Sequence, residues 1–369
     1  MKRVTRTSAA ANAADSNAHA DPSFSAAVIA WQRQHGRHAL PWQQTRDAYR
    51  IWLSEIMLQQ TQVTAVIPYY LRFLERFPDV QALAAARSEE VMALWSGLGY
   101  YSRARNLHRC AQLVVSGHGG RFPDDPELLA QLPGIGRSTA AAIAAFAYGA
   151  RAAILDGNVK RVFCRVFGID GFPGAKPVED GLWQRAVALL PESGIESYTQ
   201  GLMDLGATLC TRSSPSCLLC PLAERCVALA SGRVKELPAR KPKKAIPEKS
   251  TAMLVITDGE HVLLEQRPDS GIWGGLLSLP ELAQDADFEL HAAAVAAHFG
   301  VAASREPLPP FSHVFTHFKL HVTPYWVRLA QRLEIAADGG YVWYRTDQLE
   351  RAPLPAPVRK LMAGLFGQA

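Results

Sequence analysis

Four cysteines lie within seventeen residues, at Cys210, Cys217, Cys220 and Cys226, in the spacing C-x6-C-x2-C-x5-C. Thiolates at short, fixed spacing close around one metal centre, because soft sulfur ligands select zinc or iron–sulfur clusters. Two disulfides would be the alternative, but disulfide frameworks belong to small secreted domains, and the N-terminus carries no apolar secretory segment. The spacing therefore predicts a metal-binding loop, and by itself it fits Zn(Cys)4 and [4Fe–4S] equally.

The 369 residues are enough for two domains of ordinary size. Residues 1–22 are rich in Ala, Ser and Asn, which predicts a disordered tail. Residues 23–230 have a helical pattern and 250–369 a mixed one, which predicts a mainly α domain followed by an α+β domain. Between them, residues 231–249 carry seven Lys or Arg, two Glu and three Pro. This basic, extended linker either lies along a phosphate backbone or is a solvated tether.

The periodicity of apolar residues supports this division. Helical spacing occurs in segments 48–58, 62–76, 89–95, 103–115, 127–132, 138–148, 158–167, 179–190 and 198–209. In the second domain, two β-branched runs flank Asp258-Gly259 and predict a hairpin. Segments 317–329 and 341–349 are further strands and 287–299 is a helix, so the sheet is expected to be mostly antiparallel or mixed.

The string Leu132-Pro133-Gly134-Ile135-Gly136 precedes a helix that begins near Ser138. Gly134 and Gly136 allow close approach of the backbone, and the N-terminus of the following helix suits a phosphate oxygen. On the turn alone, an ordinary helix–helix connection remains the better interpretation.

Two carboxylates are candidates for acid–base chemistry. Glu55 is alone in the apolar helical stretch 48–58, where burial would raise its pKa and allow it to donate a proton. Asp156 precedes a helix in the string Asp156-Gly157-Asn158. A carboxylate there could stabilise a cationic sugar, as in glycoside hydrolysis. A solvent-facing Glu and a helix-capping Asp are the structural alternatives, and each is favoured when its motif is taken alone.

The strings SEIMLQQTQV, GLGYYSRARNL, LPGIGRSTA, LDGNVKRV and the four cysteines occur in this order. Together they resemble the MutY family of adenine DNA glycosylases. The resemblance implies a helix-hairpin-helix glycosylase domain over 23–230, with one [4Fe–4S] cluster in the loop 210–226, and a Nudix-like domain over 250–369 that recognises 8-oxoguanine. It also implies that adenine is removed when it is mispaired with 8-oxoguanine or guanine, in base excision repair. Glu55 would protonate adenine N7, Asp156 would stabilise the oxocarbenium ion, and Asn158 would position water or sugar.

Ser138 separates this chain from the endonuclease III-like relatives, which have a nucleophilic Lys at that position. Serine forms no imine, so a monofunctional glycosylase is expected. Two alternatives stay open: a bifunctional glycosylase/lyase and an iron–sulfur protein that binds DNA without catalysis.

The resemblance also identifies residues that contact DNA. Gln60 and Tyr100 match wedge positions that fill the gap left by an extruded base. Thr316 and His317 match a loop that contacts 8-oxoguanine, although family members often have Ser where this chain has Thr316. The second domain has no REXXEE helix to hold Mg²⁺, which argues against nucleotide hydrolysis. We expect a monomeric bacterial protein of the reducing cytoplasm that is associated with the nucleoid, binds double-stranded DNA and does not bind membranes.

Overall fold

The computed structural model describes residues 20–241, 246–268, 271–283, 288–315, 317–333 and 340–367. The chain divides into two compact units. The first comprises Met1–Ala84 and Arg109–Pro242, and the second comprises Ala85–His108 and Lys243–Ala369. The division near residue 242 falls inside the predicted linker, whereas the assignment of 85–108 to the second unit was not anticipated from sequence.

The helices of the N-terminal two thirds follow the predicted segments closely. They are α1 (Pro22–His35), α2 (Ala48–Leu58), α3 (Val63–Arg76), α4 (Val80–Ala85), α5 (Ser88–Trp95), α6 (Ser102–His118), α7 (Pro126–Leu129), α8 (Arg137–Tyr148), α9 (Gly157–Val166), α10 (Lys176–Ala188), α11 (Ile195–Asp204) and α12 (Val227–Ala230). Helix α11 continues into a π-helical turn at Leu205–Leu209, and short 3-10 turns occur at Pro41–Gln43, Cys217–Leu219 and Ala223–Arg225.

Helix α1 was missed by the periodicity argument, although its start is marked in the sequence. The Asp21 carboxylate accepts hydrogen bonds from the N–H groups of Ser23 and Phe24, and Pro22 occupies the first turn. An acidic N-cap followed by Pro is a helix-start signal. The helix buries Phe24 and Val28 in the core of the first unit, and its first residue, Pro22, is the last residue of the predicted tail. Residues 1–19 of that tail lie outside the described residues.

Three helices of the first unit position the predicted site. Helix α2 begins at the N-cap Asp47, whose side chain accepts from the Tyr49 N–H, and buries most of its apolar residues. Helix α8 is rich in buried alanines and packs against α2. Small side chains let the two backbones approach closely. Helix α9 begins at the N-cap Asp156, whose carboxylate accepts from the Val159 N–H at 2.8 Å.

In the described part of the second unit, eight strands form one mixed sheet. They are β1 (Glu248–Thr257), β2 (His261–Gln266), β3 (Leu277–Ser278), β4 (Glu281–Leu282), β5 (Gly300–Pro307), β6 (Phe311–Val314), β7 (Lys319–Arg332) and β8 (Tyr341–Arg345). Five strands lie side by side in the order β3-β2-β1-β7-β5. In addition, β4 pairs with β1, β6 pairs with β7, and β8 pairs with β2. Among these strands, only β1 and β7 pair in parallel.

The sheet confirms the predicted hairpin, in which Gly259 adopts φ +100° between β1 and β2. Helix α13 (Phe288–Phe299) matches the predicted helix, and its buried face packs on β1 and β7. Helix α14 (Ala356–Phe366) closes the chain after a 3-10 segment at Thr346–Arg351. No helix in the parts of the chain described above is long and apolar enough to cross a membrane.

Candidate active site

Glu55 lies on the face of α2 that is not packed into the core. Its neighbours Ser54 and Ile56 are buried, while Glu55 itself is half-buried at the wall of a cavity. Burial, and secondly the nearby Asp156 carboxylate, raise the pKa of Glu55 from 4.5 to about 8. The carboxyl is therefore protonated at neutral pH, which a general acid requires.

Asp156 is both a helix cap and a cavity residue. Burial raises its pKa, but the N–H groups of Val159 and Asn158 and the positive charge of Arg161 act in the opposite direction. Burial is the larger effect, so the pKa of Asp156 is raised overall, while these hydrogen bonds favour the charged form of the carboxylate. The capping alternative is therefore confirmed, and it does not exclude a role of Asp156 in the cavity.

One cavity of about 800 Å³ in the first unit is lined by six of the ten residues predicted to be catalytic or to bind DNA. Its lining includes Glu55, Gln60, Gly136, Ser138, Asp156 and Asn158. These residues come from α2 and the turn after it, the start of α8 and the start of α9. The fold therefore brings residues that are about one hundred positions apart in sequence to one concave surface.

A second cavity in the same unit, of about 480 Å³, is also lined by Glu55. Arg37 and Glu55 line both cavities, and Trp42 and Gln200 line only the second. Arg37 is fixed by Asp204, which is fully buried and accepts from the Arg37 backbone N–H at 2.8 Å and from its Nε at 2.7 Å. The sequence analysis did not identify Arg37 or this cavity.

Ser138 contacts the residue that directly precedes Asp156 in the chain. Its hydroxyl accepts a hydrogen bond from the Leu155 N–H at 2.9 Å, directly before the catalytic candidate. The Gly134–Gly136 turn lies beside the end of α2, where the Gln59 amide donates to the Gly134 carbonyl at 3.3 Å. Gly134 has φ +78°, a conformation that favours glycine. Gly136 is the N-cap of α8 and is exposed, which leaves the first N–H groups of α8 accessible to a phosphate.

Arg161 was missed by the sequence analysis and connects the cysteine loop to the acidic site. Its Nε donates to the Cys210 carbonyl at 2.7 Å, and its Nη2 donates to Asn158 Oδ1 at 2.8 Å. The Asn158 amide in turn donates to Asp156 Oδ2 at 3.3 Å. Asn158 therefore orients Asp156, and Arg161 orients Asn158. An Arg one turn after the DGN string was the only sequence signal.

The four cysteines line one small cavity of about 20 Å³, together with apolar side chains of α9 and the π-helical turn. Arg165 is buried beneath it and donates to Cys210 Sγ at 3.4 Å and to the Thr211 carbonyl at 2.7 Å. In the described residues, no group of three or more His, Cys, Asp or Glu side chains is arranged to hold a metal ion.

Both predicted wedge residues have unusual backbones. Gln60 has φ +59° and Tyr100 has φ +50°, although neither is glycine. Gln60 is exposed at the end of α2, and Tyr100 is 49% exposed before α6. Strained, exposed residues of this kind are found disproportionately at functional sites. Gln60 belongs to the first unit and Tyr100 to the second.

The predicted contact loop of the second unit lies in the tight turn between β6 and β7. His317 is exposed there, and Phe315 and Phe318 stack with ring centroids 4.7 Å apart. Thr316 lies outside the described residues.

Comparisons with known proteins identify families for both parts of the chain. The sequence model described as "HhH-GPD superfamily base excision DNA repair protein" matches residues 53–186, and one described as "NUDIX domain" matches 251–364. An adenine DNA glycosylase of Buchnera aphidicola (from Acyrthosiphon pisum) is 35% identical over 92% of this chain and 96% of that protein. The human adenine DNA glycosylase is 33% identical over 94% of this chain and 74% of that protein.

Among solved structures, a thermostable thymine-DNA glycosylase is similar to 57% of this chain. The match covers 96% of that chain, with a TM-score of 0.51 and 28% sequence identity. The helical unit thus shares its fold with base-excising enzymes.

Proposed function

Because this chain belongs to the adenine DNA glycosylase family and is a DNA glycosylase of base excision repair, we propose that it acts on adenine paired with 8-oxoguanine or guanine in double-stranded DNA. We further propose that it is monofunctional and hydrolyses only the N-glycosidic bond. The observation that carries this proposal is the cavity that is lined both by Glu55, whose raised pKa keeps it protonated at neutral pH, and by Asp156.

The two cavities beside Glu55 suggest how the nucleotide is held. We place the extruded base in the 480 Å³ cavity, where Arg37 and Gln200 offer hydrogen bonds and Trp42 offers an apolar wall. The sugar and its phosphates then lie in the 800 Å³ cavity next to Asp156. Glu55, which lines both, is at the junction where a base joins its sugar.

In this arrangement Glu55 gives its proton to adenine N7, so the base leaves as a neutral molecule. The bond to C1′ breaks with its electron pair going to the base, and positive charge develops on the sugar. The Asp156 carboxylate faces that charge and lowers the barrier electrostatically. Asn158, held by Arg161, keeps Asp156 in place and has polar atoms for the attacking water.

Position 138 supports hydrolysis without strand cleavage. A lysine there could attack the sugar, but Ser138 has no amine and its hydroxyl is already bonded to the Leu155 N–H. The Lys-dependent Schiff base is therefore not available at this position.

The cysteine loop is proposed to hold one [4Fe–4S] cluster. Cys210, Cys217, Cys220 and Cys226 converge on one apolar cavity, and thiolates in such a setting suit iron–sulfur ligation. When bound, the cluster supplies a rigid covalent crosslink for this loop. The contacts of Arg165 and Arg161 with Cys210 and Thr211 connect the loop to α9.

Recognition of 8-oxoguanine is assigned to the turn between β6 and β7, with Thr316 and His317 as the contacting residues and Tyr100 as a wedge. The exposed His317 and the exposed Tyr100 ring, both within the second unit, support this assignment.

The test uses duplexes that carry adenine opposite 8-oxoguanine, guanine, cytosine or thymine. We expect excision opposite the first two only, with strand breaks appearing only after alkali. Glu55→Gln should abolish excision while DNA binding persists. Glu75→Gln, which alters an exposed residue of α3, is the matched control and should be fully active. Strand cleavage without alkali, or full activity of Glu55→Gln, would overturn the proposal.

A further inference from the structure

Within the described parts of the chain, three residues other than glycine have positive φ: Gln60, Tyr100 and Trp273. The first two were predicted to enter DNA. Trp273 was not, and its φ of +55° is a genuine outlier for a bulky side chain. Such a backbone conformation persists only where the surrounding contacts enforce it.

Trp273 lies in the loop between β2 and β3, with glycines on either side that also have positive φ. Gly271 has φ +90° and Gly275 has φ +73°. The loop is pinned at its base, because the Arg267 N–H donates to the Leu276 carbonyl at 2.8 Å and the Leu276 N–H donates to the Trp273 carbonyl at 3.1 Å. This backbone directs the indole inward, and only 7% of Trp273 is exposed.

The indole ring contacts the turn assigned to recognition. Its centroid lies 5.5 Å from that of Phe315 and 6.0 Å from that of His313, and these two rings are 4.6 Å apart. Phe315 continues the cluster to Phe318. Phe315 and Phe318, which flank the predicted contact residues, are therefore fixed by aromatic packing that begins at Trp273.

The same loop contacts the wedge segment. The Arg105 guanidinium donates to the carbonyl of Gly274, next to Trp273. Arg105 lies one turn into α6, shortly after Tyr100. A cavity of about 530 Å³ in the second unit is lined by residues within 97–105 and 271–274 and by residues 313–315 and 317–318.

We propose that Trp273 is a positioning residue for recognition of the base opposite the target adenine. It orients the β6–β7 turn through Phe315 and His313, and the Gly274 carbonyl beside it orients the Tyr100 segment through Arg105. This inference rests on the proposed recognition of 8-oxoguanine. A core tryptophan with no such role would also be buried, but it would not need a left-handed backbone.

The experiment compares single-turnover excision of adenine opposite 8-oxoguanine and opposite guanine, and its readout is the ratio of the two rates. We expect Trp273→Leu to lower that ratio at least tenfold, because the turn loses its support while the catalytic cavity of the first unit is unchanged. Trp326→Leu is the matched control. Trp326 is in the same unit and contacts Phe366 at 5.3 Å, and its loss should leave the ratio within twofold.

Arg105→Gln provides the second variant should Trp273→Leu fail to fold. It removes the hydrogen bond to the Gly274 carbonyl, and it should lower the ratio of the two excision rates at least threefold. An unchanged ratio in whichever of the two variants folds, or an equal fall in Trp326→Leu, overturns the role of Trp273. A wild-type ratio of one refutes the recognition of 8-oxoguanine instead, so the two failures are distinguishable.

Discussion

Replacing Glu55 by Gln should stabilise the folded chain at neutral pH while it removes catalysis. In the unfolded chain this carboxyl titrates near 4.5, whereas in the folded chain its pKa is about 8. Below pH 4.5 both states are protonated and Glu55 has no pH-linked effect. Between pH 4.5 and 8 the unfolded chain loses the proton and the folded chain keeps it, so stability falls as the pH rises.

The size of this change in stability follows from the shift in the pKa of Glu55. Between pH 5 and pH 7 the free energy of unfolding falls by about 1.4 kcal/mol per pH unit, or about 3 kcal/mol in total. This is an upper limit, because the half-buried carboxyl retains some contact with solvent. Glutamine does not titrate, so Glu55→Gln should gain up to about 3 kcal/mol over the wild type when the pH is raised from 5 to 7.

Urea unfolding of the wild type, Glu55→Gln and Glu75→Gln at both pH values measures this difference. The single-turnover excision rate of the wild type should also fall about tenfold per unit above pH 8, as the general acid loses its proton. The reasoning is refuted if the stability difference between Glu55→Gln and the wild type is the same at pH 5 and pH 7. A wild-type rate that stays level from pH 7 to pH 10 would equally contradict the role of Glu55.

Three further changes test how the site is supported. Gly206→Ala should reduce excision at least a hundredfold, because a Cβ there would meet the Asn158 Cβ and lie 3.0 Å from its Cα; Gly181→Ala in α10 meets nothing within 4 Å and should be active. Arg161→Gln should slow excision more than it weakens DNA binding, since Asn158 loses the partner that orients it; equal effects on both would contradict this. Asp204→Ala should lower the free energy of unfolding by about 3 kcal/mol, because the fully buried carboxylate accepts hydrogen bonds from Arg37 and Gln200. A loss below about 1 kcal/mol in urea unfolding would contradict this, since it would show that Arg37 and Gln200 find other partners.

The helices of the first unit could be predicted because their buried faces repeat at helical spacing. Strand β5 could not, since its residues after Gly300 are all exposed and carry no alternation. It exists because its backbone pairs with β7, a tertiary effect that local sequence does not encode.

The residues of the candidate site could likewise be predicted only in part from local sequence. Glu55 and Asp156 stand out through their motifs, but the pKa of Glu55 depends on burial that only the packed α2 provides. Arg37 and Trp273 carry no motif at all. The first is placed by a buried partner 167 positions away in the sequence, and the second by a backbone conformation that its side-chain type disfavours.

The grouping of residues 85–108 with the C-terminal part of the chain has a practical consequence for dissecting this protein. Ser96 donates to the Leu354 carbonyl at 3.2 Å and accepts from Arg359 at 2.7 Å, and a fragment ending at residue 242 would lose both of these hydrogen bonds. The isolated C-terminal piece would likewise lack Tyr100 and Arg105. Cleavage at the linker therefore divides the second unit between two fragments, and point substitutions are the sounder way to assign activities to the two units.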